Sequence, residues 1–80
     1  MTKEDEAFAD AIVDQINAEL GAAGVTMKDL AKMLDRPYDS TRNYLKKERT
    51  LPFGIFLEMA RVLDVAPEEV IKRARGRLAQ

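Results

Sequence analysis

Residues 25–52 read VTMKDLAKMLDRPYDSTRNYLKKERTLP, two short helical patterns separated by an Asp-Arg-Pro step that only a tight turn accommodates. Met27, Leu30, Ala31 and Leu34 fall on one helical face, and Thr26 is placed to cap that helix. Asp29, three residues on, gives an imperfect capping box, since the usual partner is Glu or Gln. The spacing predicts a helix from about Met27 to Leu34. Asp35 stands where the chain must reverse, and Asp is among the few non-glycine residues that tolerate positive φ; Pro37 presets a helical φ at the next start. A second helix is expected over about 38–47.

At 100° per residue, Thr41, Tyr44, Leu45 and, at the border, Tyr38 point one way. Arg36, Asp39, Asn43 and Lys46 point the other way, flanked by Ser40, Arg42 and Lys47. That outer face carries donors and acceptors with almost no carbon, which suits it to base edges in a major groove. On charge pattern alone an ordinary solvated helix surface is the commoner explanation, so the context of the stretch must decide.

From residue 26 to Val70 the chain resembles the Cro/repressor-type helix-turn-helix family of phage and bacterial regulators. The resemblance needs no gap and rests on Thr26, Leu30, Ala31, Leu34, Thr41 and Tyr44, continued by Leu51, Phe56, Ala60, Leu63, Val65 and Val70. A MerR-like or excisionase-like winged helix can open similarly, but LPFGIFLEMARVLDVAPEEV continues with helical spacing where a β-wing would be needed. The resemblance implies an all-α, five-helix lambda-repressor-like domain in which residues 26–47 form the DNA-binding core motif. Two positions depart from the family pattern: Met27 stands where many relatives have a phosphate-gripping glutamine, and Thr41 replaces a bulkier aliphatic residue, leaving Tyr44 to fill the gap.

Eighty residues make one domain, 1–80, with a modest core. The chain has neither cysteine nor histidine, so disulfides, thiolate metal sites and the commonest general base are excluded, and neither an enzyme nor a cofactor is expected. No apolar run approaches the roughly 18 residues of a membrane span and no leader precedes the domain, so a cytoplasmic protein is expected.

The formal net charge of -1 hides an asymmetry. Residues 1–19 carry six carboxylates against Lys3 alone, a net -5, and the remainder is +4; residues 36–49 are +3. An acidic back and a basic front would orient the protein on approach to nucleic acid. A first helix starting around Lys3 to Asp5 carries Phe8, Ile12, Ile16 and Leu20 as its stripe, with Gly24 as a left-handed stop and Leu20 against Val25, although an end near Gly21 is equally open. Pro52 fits the first turn of a fourth helix through Phe56, Met59, Ala60 and Leu63, and Asp64 takes the place where the resembled family often has glycine. Pro67, Glu68 and Glu69 open a basic fifth helix over about 67–78, whose stripe of Val70, Ile71, Ala74 and Leu78 packs internally or against a second copy. Its Lys72, Arg73, Arg75 and Arg77 reach a phosphate backbone or form a solvated surface.

The expected function is sequence-specific binding of double-stranded DNA by a small phage-type repressor or Cro-like protein. Base-contact candidates are Tyr38, Asp39, Ser40, Arg42 and Asn43: Asn43 suits adenine, Asp39 can only accept, and Arg42 suits guanine or a phosphate. Phosphate-contact candidates are Thr26, Lys28, Arg36, Lys46, Lys47 and Arg49. In the resembled family, positions matching Tyr38, Asp39 and Asn43 commonly touch bases. The partners implied are a palindromic operator, a second copy of the chain, joined in solution or only on DNA, and RNA polymerase. The competing class is an antitoxin or adaptor that uses the same scaffold to bind protein, with Phe53 as its candidate exposed anchor.

Overall fold

In the computed structural model, which describes residues 2–79, Thr2 opens the first helix, α1 (Lys3–Ala23). Its hydroxyl accepts the Asp5 N–H at 3.1 Å while the Asp5 carboxylate accepts the Thr2 N–H, a reciprocal cap that ties the acidic first turn to the positive end of the helix dipole. Four further helices follow: α2 (Met27–Leu34), α3 (Tyr38–Leu45), α4 (Phe53–Val62) and α5 (Pro67–Leu78). The fold is all-α, as expected, and no helix among the described residues is long and apolar enough to cross a membrane.

Helix α1 is the beam on which the rest is laid. It packs mainly along α5 and also against α3, while α2 bridges α3 and α4. The core comprises Val13, Ile16 and Leu20 of α1, Leu30 and Leu34 of α2, Leu45 of α3, Phe56 and Met59 of α4, and Val70 of α5. Ile16, Leu30, Met59 and Val70 have no exposed surface. Burial of this kind supplies most of the stability of short helices, whose own propensity is insufficient in water.

Four of the five helices end alike. Gly24, at φ 69°, stops α1: its N–H reaches the Gly21 carbonyl and the Val25 N–H reaches that of Leu20 at 3.0 Å. The same paired bonds follow α2, α3 and α4, where the left-handed residues are Asp35 (φ 54°), Lys47 (φ 64°) and Asp64 (φ 57°). Gly21 is therefore helical and the helix does not end there. A Cβ built on Gly21 meets nothing within 4 Å. Gly21→Ala is expected to raise stability by about 0.5–1 kcal/mol, read as a higher urea midpoint at unchanged slope. A lower midpoint would mean that the α1 end is not helical in solution.

The α1–α5 seam is polar at one end. Arg73 donates to Glu19 at 2.8 Å and to Glu69 at 3.2 Å, Gln15 donates to Glu19 at 2.6 Å, and Arg77 donates to Gln15 at 2.8 Å. The bonds from Arg73, then Gln15, hold the Glu19 carboxyl below the ordinary carboxylate range. Arg75 lies over the Phe8 ring, 4.6 Å from its centroid. The basic fifth helix thus turns three of its four cations toward acidic α1 rather than outward. Of its apolar stripe, Val70 and Ala74 are buried internally, Ile71 is half-buried and Leu78 is exposed.

Candidate nucleic-acid interface

Helix α2 begins with a complete capping box. The Thr26 hydroxyl accepts the Asp29 N–H at 3.0 Å, and the Asp29 carboxylate accepts the Thr26 N–H at 3.2 Å. These bonds, the backbone one first, keep the Asp29 carboxyl below its usual range, so an anion stands over the helix N-terminus. Asp at the third position is therefore sufficient where Glu is commoner. It also spends the N–H groups of Thr26 and Asp29, leaving those of Met27 and Lys28 outside the cap. Lys28 is exposed beside them.

The reversal after α2 follows from Asp35 in the left-handed region, with the Arg36 N–H returning to the Ala31 carbonyl at 3.0 Å. Pro37 has a helical φ of -58°, but its ψ of 141° makes it the cap of α3 rather than its first residue. The Arg36 guanidinium turns away from the α3 face and grips Glu58 of α4 through two bonds, 2.7 and 3.3 Å. An exposed pair of this kind contributes little energy, but its fork geometry sets where the turn sits.

Helix α3 buries Thr41, 1% exposed, and Leu45, 2% exposed. The Thr41 hydroxyl donates to the Pro37 carbonyl at 3.1 Å, which satisfies it inside the fold. Tyr44 is half-buried against the core, and Arg49 stacks over its ring at 5.9 Å. Tyr38, set at the border by its angle, lies in the first turn of the helix and is 45% exposed. The face away from Thr41 and Leu45 therefore carries Tyr38, Asp39 and Lys46, which are exposed, and Ser40 and Asn43, which are half-buried. Among the described residues none of these five side chains makes a hydrogen bond or ion pair with the rest of the chain. Arg42 flanks them and faces Glu48 at a loose 3.6 Å.

The end of α3 differs from the sequence expectation. The helix stops at Leu45, not 47: Lys47 is left-handed, and the Glu48 and Arg49 N–H groups both return to the Asn43 carbonyl. Two clasps from α1 hold that end. The Asn17 amide donates to the Leu45 carbonyl at 3.1 Å and to the Val13 carbonyl at 3.2 Å, and the Lys47 ammonium lies 2.7 Å from the Asp14 carboxylate. Asn17 was not a sequence candidate, because an asparagine inside a helix carries no signal of a partner 28 residues away.

The structure thus gathers five candidates on one free face and leaves Lys28 exposed on α2. It commits Thr26 to a cap, Arg36 to Glu58, Lys47 to Asp14, and Arg49 to the ring of Tyr44. Lys32, one turn after Lys28, also lines a groove of about 410 Å³ at the turn, with Arg36 and Tyr38. Its spacing of four from Lys28 was the available sign. Asn17→Ala is expected to cost about 1 kcal/mol of stability by leaving the Leu45 carbonyl without this donor, and amide exchange should quicken at the α3 C-terminus before it does in α5. Uniform quickening would count against the clasp. No family model, curated protein or solved structure matches the chain.

Proposed function

We propose that the chain is a sequence-specific, double-stranded DNA-binding transcriptional regulator, a small phage-type repressor or Cro-like protein that occupies an operator. The observation that carries this is the polar face of α3, where exposed Tyr38 and Asp39 and half-buried Ser40 and Asn43 lie over buried Thr41 and Leu45, their side chains making no hydrogen bond or ion pair within the described chain. Polar groups held rigidly and left unbonded are what base-edge recognition requires. In this reading Asn43 pairs with adenine, Asp39 accepts from a cytosine amino group, Tyr38 meets a thymine methyl or a phosphate, and Ser40 and Arg42 adapt to their neighbours. Lys28 and Lys46 touch the phosphate backbone. The protein acts as a homodimer on a palindrome, because one eight-residue helix reads too few bases for useful specificity.

Binding to random duplex across a salt series tests the class. Two backbone cations per protomer give a slope of log affinity on log salt of about -1.8, and release of Arg36 and Lys47 from their carboxylates raises it to about -3.6. No retention at low salt would overturn the reading in favour of an adaptor, for which the exposed Phe53 is the supporting feature.

A further inference from the structure

Phe53 is the most exposed large apolar side chain described, at 67%, and it stands at the mouth of a groove of about 420 Å³. The groove floor is formed by Ile12 of α1, Leu51, Phe56 and Ile71. One wall is acidic, Glu6 and Asp10 on successive turns of α1; the other is basic, Lys47 and Arg49 of the loop after α3. Lys47 is paired with Asp14, one turn beyond Asp10 on α1, while Glu6 and Asp10 make no ion pair among the described residues. Phe53 leans on Phe56 with ring centroids 5.8 Å apart.

We infer that this groove is where a second copy of the chain docks, each copy inserting Phe53 into the other's groove about a two-fold axis. A two-fold interface must be complementary to itself, because the same patch serves both partners. This patch is: it holds a knob beside a socket, and an acidic wall opposite a basic one, so rotation by half a turn sets each acidic wall against the partner's basic wall. A foreign partner needs only one half of each pair. The net charge of -1 leaves little long-range repulsion between copies. The inference names the interface for the homodimer proposed above, and rests on that reading only for its orientation toward DNA.

Sedimentation equilibrium without DNA, from micromolar to millimolar protein, tests the interface on its own. The wild-type chain is expected to show a reversible monomer–dimer equilibrium, and Phe53→Ser, at an exposed position, is expected to remain monomeric with an unchanged circular dichroism spectrum. Asp10→Lys alone and Arg49→Glu alone should each weaken the dimer about tenfold or more, because each sets like charges face to face. An equimolar mixture of the two should recover a heterodimer within about threefold of wild type, since each altered wall then meets its opposite. A wild-type chain monomeric throughout, a dimer indifferent to Phe53→Ser, or a mixture without recovery would overturn the inference. A dimer that behaves as described but ignores duplex DNA would sink the regulator reading and leave this one standing.

Discussion

Leu30→Ala is expected to lower the stability of the fold by about 2–5 kcal/mol, as measured by thermal or urea unfolding. Leu30 has no exposed surface and belongs to the core cluster shared by α1, α2, α3, α4 and α5. Truncation removes its transfer free energy and leaves a cavity walled by helices that have little freedom to collapse, because the turns on either side of α2 are pinned by a capping box and by the left-handed Asp35. A domain of this size has a total stability of the same order, about 4–12 kcal/mol, so the midpoint should fall by about 10–30 °C. A fall of less than about 4 °C would mean that α2 is not part of the cooperative core. The candidate DNA face would then lack a rigid base.

The second large effect concerns specificity. On the proposed operator, Asn43→Ala is expected to cost about 1–3 kcal/mol, and to leave affinity for a scrambled duplex nearly unchanged. Lys46→Ala should weaken both duplexes alike and reduce the salt slope by about one. The contrast follows from chemistry: the Asn43 amide offers a donor and an acceptor side by side, whereas the Lys46 ammonium is a point charge with no directional preference for a base. Competition binding on the two duplexes reads both. If Lys46→Ala altered discrimination and Asn43→Ala did not, the helix would lie in the groove rotated from the orientation proposed.

Features encoded by neighbouring residues were legible from the sequence. Thr26 with Asp29, Asp35 at the reversal, Gly24 with Leu20 and Val25, and Pro67 at the start of α5 all act within one helical turn, and all are found where expected. The outward set of Asp39, Asn43 and Lys46 follows from the 100° step alone. What escaped is non-local or lacks a residue signature. Lys47 carries no mark of positive φ, so nothing local ends α3 at Leu45, and Asn17 and Asp14, which hold that end, belong to another helix. Arg36 reads as a phosphate contact from sequence because Glu58, its partner, lies 22 residues on, far outside any helical spacing. Arg73 meets Glu19 across 54 residues, which is why the fifth helix looked like a free basic tail.

The grip of Glu58 on Arg36, with those of Asn17 and Asp14 on the far end of α3, bears on how such a chain can be rebuilt. Residues 26–47 are braced at both extremities from elsewhere, so a graft of these two helices into a foreign host leaves its fasteners behind. What can be transplanted is smaller: the outward side chains of α3 alone, set on a donor helix that keeps its own braces. New sequence preferences in this chain should accordingly come from exchanging Tyr38, Asp39, Ser40 and Asn43 in place, with Thr41, Leu45 and Asn17 left untouched.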